Sequence, residues 1–237
     1  MSPKNFPNCP LHTLYQPIVE LKTRKVIGYE ALTRGTGKWR LPEDLFRSAY
    51  QKGTTVELDF RCLRTALQIL PELGKTHLLF VNVEPMTLSH LVRRKREAAF
   101  LVRRLAVDHR QIVFELTEGM KGRDFVFIKQ GVAFLRRLGY QFAIDDVSGI
   151  GLKLFKLLSL RPDFVKIDMS FVKGVATSRF QQSFIRRLVR LGKEYSTLLI
   201  AEGVEVKKDL DFIKRAGIPY AQGYYFARPH RALRNGV

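Results

Sequence analysis

The chain is short of cysteine, of acid and of long apolar runs. Only two of its 237 residues are cysteine, Cys9 and Cys62, and neither belongs to a CxxC pair or to a spacing typical of zinc sites. Cys62 is read as core, since free cysteine is among the most buried residue types, and Cys9 as incidental. The five histidines, His12, His77, His90, His109 and His230, are scattered without metal-like spacing, so structural or surface roles are expected of them. No segment is apolar for long enough to span a bilayer. The opening MSPKNFPNCPLH lacks the basic stretch and apolar run of a secretory signal, so a cytoplasmic location is expected. With no Pro-, Gly- or Ser-rich linker, no low-complexity tract and no internal repeat, residues 1–237 should form a single domain.

What is abundant is base. Lys and Arg number 41 against 22 Asp and Glu, a formal net charge of +19. The outer field should therefore attract anions such as nucleotides, nucleic acid or acidic lipid. A hydrophobic fraction of 46%, gathered in short clustered runs, is that of a folded globular protein.

Eight of those runs are rich in Val, Ile, Phe and Tyr: LYQPIV (14–19), KVIGYEAL (25–32), LLFVNV (78–83), IVFELT (112–117), FAIDD (142–146), FVKID (164–168), LLIAEG (198–203) and AQGYYF (221–226). From the second run onward, segments with helix-spaced apolar residues lie between them, as in Leu58, Cys62, Leu63, Ala66 and Leu67, or Phe184, Ile185, Leu188 and Leu191. Strand alternating with helix calls for a parallel sheet. Eight strands in this length favour a closed (β/α)8 barrel of the TIM type over an open sheet. The first two runs are joined by too few residues for a parallel crossover and should pair antiparallel, which makes the barrel irregular near its N-terminus.

Polar residues recur near the carboxyl ends of these runs: Glu30, Asn82, Glu115, Asp145 with Asp146, Lys166, Glu202 and Gln222. In a parallel barrel those ends share one face. The face then holds more negative charge than a dry cleft tolerates without cations. Hard oxygen ligands with no His or Cys among them point to magnesium or manganese. Asp145 and Asp146 would point to opposite faces in a regular strand, but where the strand ends and the backbone turns both can reach the mouth and bridge or divide two metals. Lys166 can orient or polarise an attacking water and Glu202 can accept its proton. The plainer alternative is that these acids cap helices or pair with the many arginines. Lys166, flanked by Phe164, Val165 and Ile167, must in either case be partly buried and needs a carboxylate partner.

Taken in order, GYEALTR, VNVEP, FELTE, AIDD, FVKIDMSF, IAEGVE and AQGYYFARP resemble the motifs of the EAL domain family, from about Leu14 to Pro229. The resemblance implies a modified TIM barrel with one antiparallel strand, and hydrolysis of cyclic di-GMP to linear pGpG with magnesium or manganese in a two-metal site. It implies that Glu30, Asn82, Glu115 and Asp145 ligate one metal and that Asp146 serves the second. Lys166 and Glu202 would handle the attacking water, with Gln222 completing the second-metal or water network. Gln16, Leu32, Arg34 and Pro229 would contact the substrate, Arg34 holding a phosphate, and Glu118 would steady the loop after the paired aspartates. A homodimer is common among proteins that look like this one. Where the family has DDFGTGYSSL, this chain reads DDVSGIGLKL from Asp145 to Leu154. That departure motivates a second reading, a receptor that binds cyclic di-GMP without turnover and signals through a protein partner.

The segment LVRRKREAAFLVRRLAV (91–107) is expected to form an amphipathic helix carrying Arg93, Arg94, Lys95, Arg96, Arg103 and Arg104. Arg136, Arg137, Arg186, Arg187 and Arg190 add basic pairs on other helices. Contact with an acidic protein, DNA or an anionic membrane can be built on them. The plainer reading is that they are solvated outer faces of barrel helices.

Overall fold

The computed structural model describes residues 9–93, 109–117 and 125–234. Its eight strands are β1 (His12–Glu20), β2 (Val26–Arg34), β3 (Leu78–Asn82), β4 (Ile112–Thr117), β5 (Gln141–Val147), β6 (Phe164–Ile167), β7 (Leu198–Ala201) and β8 (Tyr220–Ala221). They close into a barrel in sequence order. β1 runs antiparallel to both β2 and β8, and every other pairing is parallel. The architecture is thus the α/β modified TIM barrel expected from the sequence, with its one antiparallel strand at the start.

Helices cover the outside: α1 (Pro42–Lys52), α2 (Thr55–Ala66), α3 (Pro85–Arg93), α4 (Phe125–Arg137), α5 (Leu152–Leu158), the short α6 (Met169–Val172), α7 (Arg179–Glu194) and α8 (Lys207–Ala216). Their limits follow from local chemistry. Pro42 opens α1, where a missing N–H costs nothing, and Gly53 closes it in the left-handed conformation. Ser178 caps α7 by accepting the Gln181 N–H. The buried Asp209 on α8 accepts the N–H groups of Gly174 and Ala176, which fastens the turn before α7 onto the next helix. No helix among the described residues is long and apolar enough to cross a membrane.

The period-2 alternation of the strands separates two cores. Outward-facing residues such as Leu79, Val81, Phe114, Leu116, Phe142, Ile144, Val165, Ile167 and Leu199 pack under the helices. Inward-facing Ile18, Phe80, Val113, Ala143, Phe164 and Ile200 form a separate apolar plug inside the barrel. The next inward-facing residue along the chain is polar in each parallel strand of the plug. Phe80 is followed by Asn82, Val113 by Glu115, Ala143 by Asp145, Phe164 by Lys166 and Ile200 by Glu202. The plug is the floor on which the polar layer stands.

Three expectations need correction or limit. The eighth strand is not AQGYYF but the two residues Tyr220–Ala221. Beyond them the chain folds onto Val204, with Val204 N–H donating to Gln222 O at 3.0 Å and Tyr225 N–H to Val204 O at 2.9 Å. Cys9 is not incidental: it is buried and its sulfur accepts the Thr36 N–H at 3.1 Å. Of the basic segment 91–107 only the last turn of α3, to Arg93, is described; Arg94, Lys95, Arg96, Arg103 and Arg104 lie outside the described residues.

Gly223 makes the fold after β8 possible, because a β-carbon there would lie 2.2–2.7 Å from the backbone of Val204. Gly223→Ala is therefore expected to destabilise the protein by about 3 kcal/mol, the scale of overpacking a rigid contact. Chemical denaturation measures this, with Gly151→Ala, which has an extended backbone and meets nothing within 4 Å, as the comparison.

Candidate active site

Lys166 stands at the centre of the polar layer, fully buried. Its ammonium lies 3.1 Å from Glu30 Oε1, 2.9 Å from Glu115 Oε1, 3.0 Å from Asp145 Oδ1 and 2.9 Å from Glu202 Oε1. Three strands, and the residue that follows β7, thus converge their carboxylates on one cation from β6. The expectation that Lys166 is buried and carboxylate-paired is met four times over. Gln222 ties two of the acids together, its Nε2 donating to Glu30 Oε2 at 2.5 Å and to Glu202 Oε1 at 3.0 Å. Asn82 donates to Glu115 Oε2 at 3.3 Å.

The charges do not balance. One ammonium faces four carboxyls that are largely withdrawn from water, and each unpaired buried anion is costly. Burial raises the pKa values of Glu115, Asp145 and Glu202, and the neighbouring Lys166 charge lowers them without prevailing. Burial alone would lower the Lys166 pKa, but Asp145, Glu115, Glu202 and Glu30 together lift it well above the usual amine value. The cluster is hungry for positive charge. Glu115 Oε1, Asp145 Oδ1 and Gln222 Oε1 have no hydrogen-bond partner, although the two carboxylate oxygens face the ammonium.

Asp145 and Asp146 reach the same opening because the backbone turns between them. Asp146 adopts φ +57°, a left-handed conformation that aspartate tolerates better than most residues. The β5–β6 register shifts between Ile144 and Val147. Asp145 then faces into the barrel, Asp146 is exposed at the rim, and Val147 drops back beneath the helices, paired with Ile167. Partial desolvation of its carboxyl, then the charge of Asp145, push Asp146 up to about 6. Glu30, Glu115 and Asp145 bring ligand oxygens within 4.8 Å of one another, and so do Asp145, Asp146 and Glu202. Two groups that could each hold a metal ion therefore share Asp145. All of these donors are oxygen, which fits a hard divalent cation.

A cleft of about 410 Å³ opens beside the two groups. Glu30, Leu32 and Arg34 line it from alternate positions of β2, together with Asn82, Asp145, Asp146 and Glu202. The Arg34 guanidinium donates to the Thr33 carbonyl at 2.8 Å and makes no ion pair with a described residue. Gln16 is buried away from this lining and donates to Ala227 O at 3.1 Å, while Tyr15 and His230 exchange backbone hydrogen bonds. Together they clamp the segment carrying Pro229 onto β1. Glu118 lies outside the described residues. The histidines join neither metal group: His109 stacks on Tyr140 and donates from Nδ1 to the Leu138 carbonyl at 2.7 Å, and His90 packs edge-on to Phe60.

The sequence reading missed Asp59 in the wall of this cleft. It is 1% exposed, accepts the Glu84 N–H at 2.9 Å, and burial pushes its carboxyl up to about 7. The signal was an acid set in the apolar stripe of α2, beside Leu58 and one turn before Cys62 and Leu63.

The raised folded-state pKa of Asp59 means that its protonated form favours the fold. This contribution is complete below about pH 4 and is lost as pH rises through about 7. Asp59→Asn should therefore flatten the loss of stability between pH 5 and pH 8, as followed by denaturation at both pH values. The carboxylate cluster gives a second expectation: manganese should raise the melting temperature of the wild type. The Glu115→Gln/Asp145→Asn double variant should respond much less. An equal rise in both would show that the cation binds elsewhere.

Comparison with known proteins places this geometry. The family model described as EAL domain matches residues 3–229. A crystal structure of a standalone versatile EAL protein from Vibrio cholerae O395, in its c-di-GMP bound form, superposes with a TM-score of 0.81 at 29% identity, covering 97% of each chain. Klebsiella pneumoniae BlrP1, in a manganese/cy-diGMP complex, gives a TM-score of 0.81 at 26% identity over 97% of this chain and 58% of its own. The Escherichia coli protein named "Probable cyclic di-GMP phosphodiesterase PdeB" is 27% identical over 225 residues, 90% of this chain. The chain spans about two-fifths of that relative's length, 42%. A family model that runs from end to end of the barrel, on residues that carry the buried lysine and its carboxylates, establishes that the chain belongs to the EAL domain family.

Proposed function

We propose that this protein is a metal-dependent phosphodiesterase that opens cyclic di-GMP to linear pGpG, acting in the cytoplasm with magnesium or manganese. The observation that carries the reading is the pair of oxygen-ligand groups sharing Asp145 at the edge of the cleft. The likeness to cyclic di-GMP-bound structures, one of them with manganese, supports the substrate and the cation.

Glu30, Asn82, Glu115 and Asp145 would hold one ion, and Asp145, Asp146 and Glu202 the second. Ions held by these residues would supply an activated water and stabilise the leaving oxygen of a phosphodiester. The remaining roles belong to the chain itself. Lys166 holds the carboxylates in one layer and moderates their mutual repulsion. Glu202, at once on the ring and on the cleft, is placed to accept the proton of the attacking water, and Gln222 fixes its orientation through the shared amide. Arg34 offers its guanidinium to a phosphate, and Leu32 offers an apolar wall. Gln16 and Pro229 lie outside the lining of this cleft, and Gln16 instead holds the segment that leads to Pro229.

Turnover is favoured over binding alone by the position of Val147. It is fully buried in the outer core and leaves Asp145 and Asp146 within ligand distance of Glu202. The DDVSGIG departure therefore leaves both aspartates in the two ligand groups. Incubation of the protein with cyclic di-GMP and manganese, then magnesium, with chromatographic separation of nucleotides, should yield pGpG that disappears with chelator. Glu202→Ala should slow turnover about a hundredfold or more, and Glu30→Ala or Asp145→Ala should abolish it. Binding by calorimetry without product would instead establish the receptor.

A further inference from the structure

Buried carboxylates collect at the mouth, among exposed cations such as Lys38, Arg40 and Arg228, whereas the end where the parallel strands begin carries exposed cations without a carboxylate layer. Arg24 stands in the β1–β2 turn, Lys75 ahead of β3, Arg137 at the end of α4, Arg161 ahead of β6, Lys193 near the end of α7 and Arg215 near the end of α8. That is one cation from each of six connections. All are exposed, and none forms an ion pair with a described residue. Of the described acids at this end, Glu20 is bonded to Thr23 and Asp163 to Arg136 and the Phe142 N–H, which leaves Glu72 and Glu194.

Half of these cations have a local reason. Arg137, Lys193 and Arg215 sit at helix C-termini, where positive charge complements the dipole. Arg24, Lys75 and Arg161 are outside helices. Arg24 has φ +60° and Arg161 φ +53°, left-handed conformations in which glycine is unstrained and a long side chain is not. Glycine would suit the backbone better at both. The chain keeps arginine there against its conformational preference, which points to a use for the charge outside the fold.

A hollow of about 330 Å³ opens at the same end, between α7, β7 and the turn that follows α8. Lys193, Ser196 and Thr197 line it, with Leu198, 43% exposed, in its wall. An ammonium and a hydroxyl beside an exposed apolar side chain suit an anion attached to hydrocarbon. Six loops around one end of a barrel spread charge in two directions, matching a surface better than a rod-like duplex.

We propose that this end is a docking surface for an anionic phospholipid bilayer, with the hollow beside Lys193 receiving a headgroup. The mouth then faces away from the membrane. The attraction is electrostatic, with each surface cation adding to it and salt weakening it.

The test is flotation of the full chain with phosphatidylcholine vesicles, with and without about one-third phosphatidylglycerol. Binding is expected only with the anionic lipid, and is expected to be lost in about 0.5 M salt. Arg24→Gly/Arg161→Gly should bind at least about tenfold more weakly with no fall in melting temperature, because glycine fits both turns. Unchanged binding by that variant would overturn the proposal, as would equal binding to neutral vesicles. Tighter binding to duplex DNA than to vesicles at equal phosphate concentration would overturn it in favour of a nucleic acid.

Discussion

The fold is arranged around one ammonium group. Lys166 lies in the dry interior of the barrel, and its charge is tolerable there only because Glu30, Glu115, Asp145 and Glu202 surround it within 3.1 Å. The converse holds as well, since four carboxyls could not be brought this close without a cation among them. One lysine does not neutralise the set. The excess of negative charge is what suits the layer to a divalent cation, and the lysine is what lets the carboxylates stand together without one.

This arrangement requires a floor. The apolar plug of Ile18, Phe80, Val113, Ala143, Phe164 and Ile200 seals the barrel below the polar layer, so each of its five parallel strands presents a hydrophobic residue and then, two positions on, a polar one of the layer. Shifting any strand by one residue would bury its acid under the helices and turn its outer-core residue into the mouth. Register, stability and site geometry are therefore set by the same alternation. The exception is Asp146, where a left-handed residue breaks the alternation and brings a second carboxylate to the opening.

The alternation also explains what the sequence revealed. Strand ends bearing Glu30, Glu115, Asp145 and Glu202 could be read directly, because in a parallel barrel chain direction alone places them on one face. The short β1–β2 connection disclosed the antiparallel start in the same way. Contacts that depend on backbone packing stayed hidden. Nothing local in AQGYYF shows that Gly223 lies against Val204 and ends the strand after Ala221. Cys9 is buried through its contact with Thr36, 27 residues away, which no periodicity reports. Asp59 was visible as an acid in an apolar stripe, but its place in the cleft wall depends on how α2 meets β3.

Anomalous scattering from crystals grown with manganese tests the central claim most directly. The account predicts one peak among Glu30, Glu115 and Asp145 and a second among Asp145, Asp146 and Glu202, with Lys166 still held in the carboxylate layer. Manganese bound only outside this layer, or a layer empty at saturating manganese, would contradict it.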